Sequence, residues 1–302
     1  MDDINAQEVE FHAPALAPSS ALALPPDRHP ALVYVARLAP GSRAAMKHAL
    51  AVIAEILAGT RDAAYSMPWH AIEYRHVTAV RSIIAGRYAP NTCNRILTAM
   101  KGVLKESWRL GQMTAEQYHR SIDVEPVRGH RLQAGRGLSA GELRALCAAC
   151  DDDKSAAGRR NAACLALLYG AGLRRREAVQ LQVADFDSAT GAITVHHGKG
   201  NKSRLTYLTN GAADALGAWL AIRGAEPGPL LCPVDKASRV VVREMTDQAL
   251  YYIMVRLAAS AGVRHFSPHD CRRSMVSDLL DARIDLGPVQ QLAGHSSPTV
   301  TA

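Results

Sequence analysis

Apolar side chains return along the first half of the chain at helical spacing. Met46, Leu50, Ile53 and Leu57 follow one another at steps of four, three and four, which places them on one face of an α-helix. A second helical segment is expected over roughly residues 71–86. The third and clearest is "APNTCNRILTAMKGVLKESWRLG", where Leu97, Met100, Leu104 and Trp108 predict a buried stripe and Lys101, Lys105 and Arg109 a basic stripe on a flanking face. That basic stripe, with Arg95 a turn earlier, reads either as an ordinary solvated edge or as a surface that meets phosphates.

In the second half, helical spacing covers about 139–150, "RRNAACLALLYGAG" and "RRREAVQL", and then the period changes. "GAITVHHGKGNKSRLTYL" has β-branched residues on both sides of a glycine-rich turn, which predicts a short antiparallel hairpin. Helices are expected again over about 211–223, 245–262, 267–282 and 285–294. The fold class that follows is mainly α with a small antiparallel β-sheet. Residues 1–27 ("HAPALAPSSALALPPDR" within them) show no period and are expected to be a disordered tail. Residues 28–124 form an N-terminal helical domain, residues 125–138 a basic linker and residues 139–302 a second domain. The linker, within "EPVRGHRLQAGRGLS", offers Arg128 and Arg131 as further phosphate-contacting candidates, although most linkers contact nothing of the kind.

Composition narrows the field of functions. Hydrophobic residues make up 48% and charged residues 21% of the chain, as in globular proteins. A formal charge of +7 with a pI near 9.2 favours a polyanionic partner. The N-terminus "MDDINAQEVEF" has no signal-peptide layout, no uninterrupted apolar run reaches membrane-spanning length, and six scattered cysteines fit a reducing, cytoplasmic setting. Cys147 and Cys150 form a lone CxxC in a helical pattern; with no second pair nearby they read as buried small residues rather than zinc ligands.

Four stretches carry candidate chemistry. In "YGAGLRRREAVQL", Arg174 follows a Gly-Ala-Gly turn where a helix begins, and Glu177 three residues on can hold it. In "HGKGNKSR", Lys199 sits in the hairpin turn, without the glycine spacing of a nucleotide-binding loop. In "SPHDCRRSM", Ser267 is a candidate N-cap, Pro268 suits the first helical position and Asp270 the capping-box position, which leaves His269 and Arg272 on one face near the positive helix end. In "LAGHSS", His295 follows a glycine at a helix end. Each motif alone has an ordinary structural reading: a solvated turn, a capped helix, a polar surface.

In this order, GLR-x-x-E, GKGNK, H-x-x-R and GH-S-S resemble the tyrosine recombinase (phage integrase) family. The resemblance spans about residues 28–302, is strongest in the second half, and includes a weaker likeness of "NTCNRILTAMKGVLKESWRLG" to the last long helix of that family's core-binding domain. It implies a helical core-binding (SAM-like) domain and a mixed α/β catalytic domain that clamp double-stranded DNA, working on it, when full length, as a homo-oligomer, dimer to tetramer. It implies that Arg174 and Arg272 grip the scissile phosphate, with Glu177 supporting Arg174. Lys199 protonates the leaving 5′-hydroxyl, His269 assists proton transfer and His295 hydrogen-bonds the phosphate. It calls for no metal and no cofactor. Two departures touch no catalytic position: Arg273 stands where a second histidine is frequent, and "LAGH" replaces the commoner "LLGH".

The family's nucleophilic tyrosine falls a short way beyond His295, past Ala302, so the 302-residue chain is expected to bind its DNA site without cleaving it. Tyr207, Tyr251 and Tyr252 are not at the motif position. Two other readings stay open: a natural, catalytically inactive DNA-binding module that occupies recombination sites or regulates a full-length enzyme, and a metal-dependent nuclease built on His196, His197, His269 and His295. The latter lacks carboxylates to bridge metals.

Overall fold

A computed structural model describes residues 15–16, 24–129, 135–196 and 203–294. The backbone divides into two compact units, Met1–Leu132 and Gln133–Ala302.

In the first unit, α1 (Pro30–Arg37), α2 (Pro40–Ala58), α3 (Tyr74–Arg87), α4 (Pro90–Arg109) and α5 (Ala115–Ile122) are joined by two short 3₁₀ turns, Arg61–Tyr65 and Trp69–Ala71. Prolines at the first turns of α1, α2 and α4 start those helices where a missing N–H costs nothing. The expected segment at 71–86 is α3, and its start is set by a capping box in which the Glu73 N–H donates to His76 Nδ1 at 2.9 Å. Leu50, Ile53 and Leu57 of α2 are buried as their spacing predicts, against Trp69, Ile72, Val80, Ile96, Met100 and Leu104. Tyr34 of α1 lies over Gly102 of α4 so closely that a Cβ there would sit 2.2 Å from its ring.

Trp108 departs from expectation. It is 37% exposed and stacks on Tyr118 of α5 with ring centroids 5.4 Å apart. The buried phase of α4 runs through Cys93, Ile96, Leu97, Met100, Val103 and Leu104 to Ser107, so a step of three, not four, continues the stripe and turns Trp108 to its edge. The helix α5 had no counterpart in the hydrophobic pattern. Thr114 and Gln117 cap it reciprocally, and Tyr118 and Ser121 are its buried residues.

The second unit holds α6 (Ala140–Asp152), α7 (Ala156–Leu165), α8 (Arg175–Gln180), β1 (Phe186–Asp187), β2 (Ala192–Val195), β3 (Arg204–Tyr207), α9 (Gly211–Arg223), α10 (Asp247–Ser260), α11 (Pro268–Asp281) and α12 (Leu286–Ala293). The expected hairpin is present as β2 and β3, with Ile193 opposite Thr206 and Val195 opposite Arg204; β1 adds a short third antiparallel strand. The core gathers Leu146, Leu167, Leu168, Leu173, Ile193, Trp219, Leu250, Met254 and Phe266. After α7 the chain makes a π-helical turn, Ala166–Gly170, and the Leu173 N–H reaches back to Leu167 O at 3.0 Å. That turn delivers Arg174 to the start of α8. Among the described residues no helix is long and apolar enough to cross a membrane.

Candidate active site

The site is built where the starts of α8 and α11 meet the end of α12. Arg174 is the residue before α8, and Glu177 closes the turn on it: the Arg174 N–H donates to Glu177 Oε2 at 2.9 Å and Arg174 Nη1 to Glu177 Oε1 at 2.7 Å. Arg174 Nη2 donates to the carbonyl of Gly294 at 3.0 Å.

The start of α11 has Ser267 as N-cap, Pro268 in the first turn and Asp270 returning to the Ser267 N–H at 2.8 Å. This box orients the H-x-x-R face. Arg272 is buried; its Nη1 donates to Gly172 O at 2.5 Å, its Nη2 donates to Ala293 O, and its Nε has no partner among the described residues. Burial, reinforced by the positive charge of Arg174, lowers its pKa to about 9, with Glu177 opposing the shift. His269, itself exposed in the first turn, falls below the ordinary imidazole value through partial loss of water and then through Arg272, Arg273 and Arg174. A ring shifted that way is neutral near neutral pH and can accept a proton.

Arg204, at the start of β3, is the residue that sequence reasoning missed. Its Nη1 and Nη2 donate to Glu177 Oε1 and Oε2 at 3.0 and 2.7 Å, and its Nε donates to Leu292 O at 3.3 Å. Glu177 is buried, a loss of water that by itself raises its pKa, yet the hydrogen bonds and charge of Arg204 and Arg174 outweigh it and hold the carboxyl down at about 2. Arg174, Arg204 and Arg272, nearly one hundred residues apart at the extremes, thus meet on the carbonyls of Gly294, Leu292 and Ala293, with Glu177 between Arg174 and Arg204.

Lys199, His295, Arg131 and His197 lie outside the described residues. Among the described residues no group of three or more His, Cys, Asp or Glu is placed to hold a metal ion. His196 pairs with Asp185 at 2.9 Å, Tyr251 reaches His265 Nε2 at 3.3 Å, and Tyr207 and Tyr252 are exposed. In the first unit, Arg95 and Lys105 are exposed, Lys101 donates to Val124 O at 2.8 Å, Arg109 pairs with Glu106 at 3.1 Å and Arg128 with Glu125 at 3.1 Å.

Residues 136–302, more than half of the chain, match the profile of the phage integrase family. The chain belongs to that family. Among relatives of this family member is the tyrosine recombinase XerC of Azotobacter vinelandii, 35% identical over 213 residues, covering 68% of this chain and 66% of that protein. Across the first curated relatives the matched stretch spans 51% to 66% of their own length. The fold is shared with a XerH site-specific recombinase in a post-cleavage complex with palindromic difH substrate, at a TM-score of 0.62 and 25% identity, covering 77% of this chain and 66% of that one. It is also shared with a Tn1549 transposon integrase in complex with circular intermediate DNA, at a TM-score of 0.67 and 14% identity, covering 90% and 94% of the two chains.

Proposed function

We propose that the protein serves site-specific DNA recombination, in which a tyrosine oxygen attacks a phosphodiester, the 5′-hydroxyl leaves, and the 3′ end is held as a phosphotyrosine until it is rejoined. The observation that carries this reading is the convergence of Arg174 and Arg272, with Glu177 between charges, at one point of the catalytic unit. Attack on a phosphodiester gathers negative charge on the equatorial oxygens, and guanidinium donors already in place stabilise that charge without reorganising. Arg174 and Arg272 take this role, and Glu177 supports Arg174. Neutral His269 assists proton transfer at the attacking hydroxyl, Lys199 protonates the leaving 5′-hydroxyl, and His295 hydrogen-bonds the phosphate. The scheme uses no cofactor, because the phosphotyrosine keeps the energy of the broken bond for rejoining.

Residues 28–124 act as the core-binding domain, 125–138 as a linker and 139–302 as the catalytic domain. The partner is duplex DNA in the cytoplasm, and the protein assembles on it as a dimer to tetramer. Arg95, Lys105 and Arg109, with Lys101, Arg128 and Arg131, supply phosphate contacts.

The test is selection of bound duplexes from a random pool, followed by titration of the enriched duplex in rising salt. A recombinase binds it with an affinity that falls steeply with salt, because each phosphate contact releases counterions. Failure to enrich any duplex, or affinity indifferent to salt, overturns the reading. Where a covalent adduct forms on a nicked duplex, mapping the DNA-bearing peptide identifies the attacking tyrosine.

A further inference from the structure

We infer that Arg204 is a positioning residue for the phosphate-gripping arginines, acting through Glu177; the inference rests on the recombinase reading above. The last two carbonyls of α12 and that of its capping glycine are each taken by a different arginine: Leu292 O by Arg204, Ala293 O by Arg272 and Gly294 O by Arg174. These carbonyls are the negative end of the helix dipole, so they attract three like charges that otherwise repel.

One carboxylate serves this cluster. Glu177 faces Arg204 with both oxygens and Arg174 with one side-chain bond and one backbone bond. The fork from Arg204 satisfies the carboxylate geometry on its own. Arg174 therefore meets the carboxylate through Nη1 alone, with Nη2 on the neutral carbonyl of Gly294, rather than in a bidentate pair, and its charge stays available to an incoming phosphate.

Without Arg204, a buried carboxylate left with Arg174 closes on that guanidinium and neutralises it. Arg204 is given no phosphate contact in this scheme: its side chain is 11% exposed, and its fork is turned inward onto Glu177 with Nε on Leu292 O. Its place at the first residue of β3 also fastens the hairpin strand to the starts of α8 and the end of α12. Gly294 marks the tightness of that contact: a Cβ there would lie 2.8 Å from Arg204 Cδ.

The experiment is calorimetric titration of the whole chain with inorganic phosphate, with circular dichroism confirming the fold of each variant. The unsubstituted chain binds phosphate and Arg174→Ala does not. Arg204→Met weakens phosphate binding roughly tenfold or more, the loss expected when a charge-assisted bond is diverted. Arg204→Lys, which neutralises Glu177 with one prong, recovers part of that loss. Adding Glu177→Gln to Arg204→Met recovers part as well, because the amide no longer competes for Arg174; a purely structural role for Arg204 predicts a further decline instead. Unchanged binding in Arg204→Met, or no recovery in both Arg204→Lys and the double variant, overturns the inference alone. If Arg204→Met does not fold, Arg204→Lys decides: binding weakened a few-fold supports the inference and binding unchanged overturns it. If the unsubstituted chain binds no phosphate, or Arg174→Ala binds it equally well, the recombinase reading of the site fails and the inference with it.

Discussion

Each unit buries one glutamate between two arginines, and the two clusters are built for different ends. In the first unit Glu106, its side chain 5% exposed, pairs with Arg37 and Arg109, which are 54% and 41% exposed. In the second unit Glu177, 6% exposed, pairs with Arg174 and Arg204 at 28% and 11%. The anion is equally withdrawn in both; the cations are not. Arginines open to water contribute little and can be re-solvated when their partner is lost. Those around Glu177 are ordered on the carbonyls of α12 beside a third arginine, the buried Arg272, so positive charge is concentrated where solvent does little to screen it. The same three side chains brace α1 against α4 in one place and prepare a phosphate site in the other.

Removing the two carboxylates is the strongest way to break the comparison. Glu177→Ala strands Arg204 and should cost about 3–5 kcal/mol, the range for breaking a buried ion pair. Glu106→Ala leaves its arginines free to turn to water and should cost only about 1 kcal/mol. Urea midpoints of the two variants check this; equal losses mean that solvent reaches both clusters alike.

The arginines come next. Any tyrosine–DNA adduct formed by the protein should fall by roughly 10²–10³ in rate on Arg174→Ala, about 2.7–4 kcal/mol of barrier. Arg37→Ala should leave the adduct rate within about twofold and shift stability by less than about 1 kcal/mol. Burst kinetics on a nicked duplex separate the two, and a rate loss at Arg37 matching that at Arg174 would put the chemistry in the wrong cluster.

Acid distinguishes the units by pH. His29 Nδ1 accepts the Leu32 N–H at 3.4 Å and His76 Nδ1 accepts the Glu73 N–H at 2.9 Å, so both rings must be neutral at those nitrogens. Burial lowers both below the ordinary value of 6.5, helped at His76 by Arg75 and opposed by Glu73. A lowered histidine pKa means that the folded state binds protons less well, so this stability is whole above 6.5 and is lost as pH falls below it. Glu177 acts later: its contribution is whole above 4.5 and is lost as pH falls toward about 2. Hydrogen exchange followed down the pH scale should open α1 and α3 before α8; the reverse order contradicts the assignment of these groups.

All of the second cluster except Arg204 was legible in the sequence. Arg174 and Glu177 lie three apart at the start of one short helix, and Ser267, Pro268 and Asp270 announce the start of α11 with Arg272 on its face, so local rules found them. Arg204 was not legible, because its partners are 27 and 88 residues away and it ends a basic turn, "GKGNKSR", that reads as solvated. The helix α5 failed for a different reason. Eight residues carrying two buried side chains give no measurable period, although the Thr114–Gln117 box that starts it was there to be read. Trp108 shows the limit of stripe reading, where one step of three against four decides which of two neighbours is inside.

The smallest expected effect concerns the two glycines that end α2 and α12. Gly59 and Gly294 both take the left-handed conformation, at φ of +76° and +59°, that closes a helix. No atom of the described residues lies within 4 Å of a Cβ built on Gly59, so Gly59→Ala meets only the backbone cost, about 1–2 kcal/mol. Gly294→Ala meets the same backbone cost and also presses on Arg204 at Cδ, Nε and Cζ, at 2.8, 2.9 and 3.1 Å. Its extra loss of stability should be small, because a guanidinium on a flexible stem can yield. Its effect on phosphate affinity should exceed that of Gly59→Ala, since what yields is the fork on Glu177. Thermal midpoints within a few degrees of each other, with phosphate binding weakened only by the change at 294, separate a helix end that merely stops from one that holds the site's arginines.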